Sequence, residues 1–139
     1  MKPRAKPKPA KLSERDIERT CSDFLALDSW RCLKTDPVSD RQRGKGFGEI
    51  GMADMLYIRY ACSQMMGAAS IDAEVLWIEW KRLDKNGKPT TASARQREWH
   101  TLERARGALT WIAGEDFPAT IEGFQEFYRA SGLLRRAGL

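Results

Sequence analysis

Ile17, Cys21, Phe24, Leu25 and Asp28 recur at three- and four-residue spacing, which gathers them into one stripe of an amphipathic helix. Ser13 supplies its N-cap, with Asp16 three residues on as a capping-box partner. The period then shortens. Residues 30–34 form a short strand, and residues 52–60 a longer one in which Asp54 shares a face with Leu56, Ile58 and Tyr60. Residues 75–81, Val-Leu-Trp-Ile-Glu-Trp-Lys, make the strongest strand: β-branched, aromatic and aliphatic side chains run without a turn residue until Asp84, Asn86 and Gly87. Asn86-Gly87 favours a tight turn with positive φ. Thr91 or Ser93 then caps a helix that runs to Arg106 and stops at Gly107, with Trp99, Leu102 and Ala105 as its core side and Gln96 beside them. Residues 108–113 are a further strand. Asp116 opens a last helix whose apolar residues are Ile121, Phe124, Phe127 and Tyr128, and residues 133–139 read as a frayed tail.

The order is therefore α-β-β-β-α-β-α. Its third strand, following helix and fourth strand form a βαβ-like unit, which implies an α/β domain with a mixed central sheet flanked by helices. Residues 61–72 are small and soft, with Met65-Met66 among them, and read as a connection. Residues 36–51, rich in Gly, Arg, Lys and Asp, read as a loop carrying Arg41, Arg43 and Lys45, either as a solvated connection or as a flap that meets nucleic-acid phosphates.

Chemistry enters at the apolar strands. Glu79 and Lys81 lie two residues apart, so they project to one side while Leu76, Ile78 and Trp80 take the other. A charge at the end of a buried strand is costly unless it is paired or binds a metal. A structural Glu–Lys pair satisfies that rule, and so does a site. Asp54, another acid bordering an apolar run, converges on both residues if the two strands are neighbours. Two carboxylates of this kind suit Mg²⁺ or Mn²⁺, and a lysine beside such an ion can hold or help to deprotonate the attacking water. Glu18, at the edge of the first helical stripe, is either a surface carboxylate or an acid aimed at the same margin.

The net charge of +5 and a pI near 9.3 favour a polyanionic partner. Residues 1–11 alternate Lys or Arg with Pro and Ala and read as a disordered basic tail, a loose phosphate contact or a solubilising leader. No apolar run approaches the about 20 residues that span a membrane, and no apolar segment follows the N-terminal charges as a secretory signal requires. Cys21, Cys32 and Cys62 form no CxxC pair, and His100 completes no zinc set. They read as reduced thiols of a cytosolic protein.

Gly51-Met52-Ala53-Asp54-Met55-Leu56, Ile78-Glu79-Trp80-Lys81 and Ser93-Ala94-Arg95-Gln96, preceded by Ile17-Glu18-Arg19 on the leading helix, resemble the VRR-NUC branch of the PD-(D/E)xK nuclease superfamily. The likeness covers residues 12–130, between the basic tail and a C-terminal tail at 131–139. Ala53 stands where that family usually has Pro, and Trp80 is bulky for its position. The resemblance implies a restriction-endonuclease-like fold and a divalent-metal-dependent DNA endonuclease. Asp54, Glu79 and the Trp80 backbone carbonyl would bind Mg²⁺ or Mn²⁺. Lys81 would position or activate the water, Gln96 would orient that water or Lys81, and Glu18 would hold a second metal or a water. His100, one turn after Gln96, reads as a bystander in preference to a general base. Small stand-alone relatives look like Holliday-junction resolvases of phage or bacterial origin, which implies branched DNA, a twofold homodimer and a cytoplasmic setting. The alternative function is a non-catalytic nucleic-acid-binding module that keeps the nuclease fold.

Overall fold

The structure, a computed structural model, describes residues 11–35, 48–63 and 70–139. Three helices surround a four-stranded mixed sheet: α1 (Glu14–Leu27), β1 (Arg31–Lys34), β2 (Met55–Ser63), β3 (Ser70–Glu79), α2 (Ala94–Ala105), β4 (Leu109–Ile112) and α3 (Ile121–Ala130). The sheet order is β1-β2-β3-β4. The first two pairings are antiparallel, and β3 and β4, joined through α2, are parallel, as the expected βαβ unit requires. Among the described residues no helix is long and apolar enough to cross a membrane.

Alternation along β3 explains the layering. Leu76, Ile78 and Trp80 are fully buried in a core with Ile17, Phe24 and Leu25 of α1 and Phe124 and Tyr128 of α3. The Trp80 ring meets Phe124 edge-on at 5.0 Å. Trp77 points the other way, into an edge-on contact with Trp99 of α2 at 5.2 Å. Glu79, two residues further, faces the α2 side as well.

Three features here differ from the sequence reading. The ladder between β2 and β3 runs from Met55↔Ile78 to Ser63↔Ser70, so residues 61–63 and 70–72 of the expected connection at 61–72 are paired strand, and Met65 and Met66 lie outside the described residues. The buried stripe of α2 is Trp99 and His100, flanked by half-buried Gln96 and Glu103, whereas Leu102 and Ala105 are exposed. The helix is rotated by the Trp77–Trp99 contact and by a hydrogen bond between His100 Nδ1 and the Thr110 hydroxyl on β4. Thr120, not Asp116, caps α3. The Asp116 carboxylate instead accepts from the Ile112 N–H and from Arg104, 2.7 Å each.

The segment after α3, expected to fray over residues 133–139, is instead docked, because its backbone satisfies buried charges of α1 and β2. Asp28, at the C-cap of α1, accepts from the N–H groups of Arg135 and Arg136. It also accepts from the Tyr128 hydroxyl and from Arg59, at 2.8 Å. Arg59 is itself buried, lies 4.4 Å over the Trp30 ring, and donates to Glu74 and to the Leu133 carbonyl. A charge this deep needs such a set of partners.

Candidate active site at the end of β3

Each candidate side chain is delivered by a separate local device. Gly51 adopts φ +80°, and a Cβ there would sit 2.3 Å from the Arg95 carbonyl oxygen, so the backbone before β2 lies directly on the first turn of α2. Asp54 is the residue immediately before β2. Thr35, just beyond β1, holds it from the other side: the Thr35 N–H and hydroxyl both donate to the Asp54 carbonyl, at 3.0 and 2.9 Å. Glu79 ends β3 with its side chain almost wholly buried. Gln96 occupies the third position of α2, where its amide oxygen accepts from the Ser93 N–H while Ser93 Oγ accepts from the Gln96 N–H. This reciprocal capping box fixes the glutamine before it makes any other contact.

These devices converge on Glu79. Lys81 Nζ lies 2.7 Å from Glu79 Oε1, and its side chain is only 11% exposed. The same ammonium donates to Gln96 Oε1 at 3.3 Å, and Gln96 Nε2 donates to Glu79 Oε1. The Asp54 N–H donates to Glu79 Oε2 at 3.3 Å. Asp54, Glu79, Lys81 and Gln96, named from the sequence, therefore form one contiguous cluster.

Its electrostatics are those of carboxylates with too little positive charge. Burial first, and the charge of Asp54 second, push Glu79 up to about 7 despite the Lys81 contact. Burial also raises Asp54, Glu18 adding to the effect and Lys81 opposing it. Trp80 contributes no side chain here, because its indole N–H donates to the Tyr57 hydroxyl at 2.9 Å within the core. The Glu79 carbonyl accepts from Ala113 on the β4 side. Strand alternation then turns the Trp80 peptide groups toward β2, where its N–H lies against the Asp54 carboxylate.

Glu18 stands at the margin. It pairs with Lys34 at 3.5 Å, with its side chain 18% exposed, and its charge reaches Asp54 without contacting Glu79 or Lys81. Sequence reasoning passed over Glu14, one turn earlier on the same side of α1. Burial raises its carboxyl, and the charges of Lys81, Asp54 and Arg82 all act on it. Its spacing of four from Glu18 was the available signal. Arg41, Arg43 and Lys45 lie outside the described residues, as do residues 1–10. His100 is fully buried, packs edge-on against Trp99 and bonds to Thr110, so it does not join the site.

Among the described residues no three His, Cys, Asp or Glu side chains form a ready metal-holding group. The donor chemistry nevertheless fits an ion of the Mg²⁺ type, which takes one or two carboxylates and fills its remaining positions with water and substrate oxygens. Buried Glu79 and half-buried Asp54, both raised by burial and Glu79 further by the Asp54 charge, with Lys81 as the opposing cation, have room in their charge balance for such an ion. Compared with known protein families, curated proteins and solved structures, the chain finds no match in any of the three.

Proposed function

We propose that this cluster is the active site of a divalent-metal-dependent DNA endonuclease that hydrolyses phosphodiester bonds on a restriction-endonuclease-like fold. One observation carries the reading: Asp54, Glu79, Lys81 and Gln96, from three separate elements, meet around Glu79 at one end of the sheet. Asp54, Glu79 and the Trp80 carbonyl would hold Mg²⁺ or Mn²⁺, with Glu18 and Glu14 able to take a water or a second ion at the margin. When bound, the ion polarises the phosphate and makes a bound water more acidic. Lys81, kept in place by Glu79 and Gln96, directs an ammonium N–H toward that water or toward the charge growing on the phosphate oxygens. Gln96 positions Lys81, because one end of its amide grips Glu79 and the other accepts from the lysine.

The substrate proposed is branched DNA of the four-way-junction type. Symmetric incision of such a junction needs two sites, hence a homodimer with twofold symmetry. One feature favours a non-catalytic DNA-binding module instead: Lys81, Glu79 and Gln96 already satisfy one another.

Cleavage of a four-way junction, a flap, a linear duplex and single-stranded DNA, each with Mg²⁺, Mn²⁺ or EDTA, separates these readings. Metal-dependent junction cutting that disappears in Lys81→Ala is the expected result. Cutting of another substrate keeps the chemistry and discards the resolvase assignment. DNA binding without cutting under any metal leaves the binding module. Thermal unfolding of the same variant adds an independent check. An active-site lysine leaves stability little changed or improved on removal, whereas a purely structural partner of buried Glu79 costs roughly 3–5 kcal/mol.

A further inference from the structure

The cations of this molecule are sorted. All four arginines of α2 and its C-cap have a carboxylate partner: Arg95 with Glu98, Arg97 with Glu115, Arg104 with Asp116 and Arg106 with Glu103. Arg82, Lys85 and Lys88, on the turn that leaves the site after Lys81, are exposed and form no ion pair among the described residues. Asp84 sits in their midst and offsets one of these charges, but forms no ion pair with any of the three among the described residues. Its carboxylate accepts instead from the backbone N–H groups of Asn86 and Lys88, at 2.7 and 2.9 Å.

Those two bonds make the turn a built element. The Asp84 N–H donates to the Lys88 carbonyl at 2.6 Å, Leu83 bridges Pro89, and the Thr90 N–H closes onto the Arg82 carbonyl at 2.8 Å. Gly87 takes φ +75° in open space, which lets the chain reverse. Lys11 is drawn onto the same turn, its ammonium donating to the Asp84 carbonyl at 2.9 Å. The result is a stiff reverse turn that presents net positive charge, Lys11, Arg82, Lys85 and Lys88 outnumbering Asp84, beside a group of acids.

We infer that the Arg82–Lys88 turn is a phosphate-binding ridge that grips the backbone of duplex DNA next to the cluster around Glu79. The inference rests on the nuclease reading for the identity of the polyanion. Lys85 lies four residues beyond Lys81, at most about 14 Å along an extended chain. At 3.4 Å of rise per nucleotide that span keeps the ridge within about four base pairs of a phosphate held at Lys81. Contacts of this kind set where the backbone lies and carry no base preference. A point charge on a rigid turn suits that task, since little ordering is required on binding.

The test is binding of a labelled linear duplex by the full chain in EDTA, measured by fluorescence anisotropy across a series of salt concentrations. Arg82→Gln/Lys85→Gln/Lys88→Gln is compared with wild type and with Arg97→Gln/Arg106→Gln/Arg129→Gln, which removes the same net charge from elsewhere. Each lost phosphate contact lowers the slope of log K against log salt by about 0.9. The ridge variant is therefore expected to lose about 2 to 3 from that slope and at least tenfold in affinity, with the charge-matched control near wild type. Equal weakening of both variants, or no change in the ridge variant, overturns the inference, as does a wild-type chain that does not bind the duplex. Because no cutting is required, a protein that binds through the ridge and cleaves nothing sinks the nuclease reading and leaves the ridge standing.

Discussion

Gly51 is the residue on which the separation of site and scaffold depends most directly. Its positive φ and the 2.3 Å approach to the Arg95 carbonyl leave no space for a methyl group. Gly51→Ala is expected to destabilise the fold by about 1–3 kcal/mol. It should also displace Asp54 from Glu79, so metal-dependent cleavage falls further than the loss of folded protein explains. Activity corrected for the folded fraction distinguishes the two effects. His100 behaves differently, because its environment acts through protonation. Burial, aided by the Arg104 charge, lowers it from 6.5 to about 4, and its Nε2 has no hydrogen-bond partner among the described residues. The unfolded chain binds that proton more readily, so the stability this histidine contributes is complete above pH 6.5 and is lost as pH falls through 4. Glu79, raised to about 7, has the opposite sign: its ionisation costs stability as pH rises from 4.5 to 7. The difference between wild type and His100→Gln isolates the histidine. Urea unfolding between pH 4 and 7 should show the variant less stable at neutrality but with a flatter acid limb, and parallel curves would refute this account.

At the scale of elements, the Asp28–Arg59 pair joins the end of α1, the middle of β2, α3 and the segment that follows it. Arg59→Leu leaves buried Asp28 without its cation, whereas Glu74 keeps Arg135 at 3.0 Å, and the expected loss is roughly 3–5 kcal/mol. The amides of Arg135 and Arg136 should then exchange with solvent far faster than in wild type. Unchanged protection there would show that the docked segment holds independently. This network marks where sequence reasoning stopped. The stripe of α1 was readable down to Asp28, since helical spacing alone placed it. Arg59 was not, because its burial depends on Asp28 and Trp30, Glu74, and Leu133 arriving from three separate stretches, and local pattern carries none of that. The face of α2 was misjudged for a related reason. Leu102 looks like core by composition, but the partner that orients the helix is Thr110, on a strand not yet formed in the reading. Glu79, Lys81 and Gln96 were legible because each is fixed locally, by strand alternation or by a capping box that the order of residues spells out.

For the whole molecule, the order of elements and the parallel β3–β4 pairing followed from hydrophobic period and connection length, which tertiary contacts seldom reverse. Register, helix rotation and the docked segment needed the assembled sheet. The hydrogen bond from the Arg136 amide to Asp28 spans 108 residues of chain. Arg59 meets Asp28 across 31 residues and the Leu133 carbonyl across 74. A growing chain that has just completed α1 and the β2–β3 hairpin thus holds an arginine and an aspartate whose remaining partners have not been synthesised. At 5–20 residues per second the interval from Glu79 to Arg136 lasts on the order of 3–11 s. During that time Tyr57, Leu76 and Ile78 lack the cover of α3. The latch that rigidifies the finished protein thus cannot close before the segment after α3 is made, and until then the nascent sheet is exposed to aggregation and to the chaperones that prevent it.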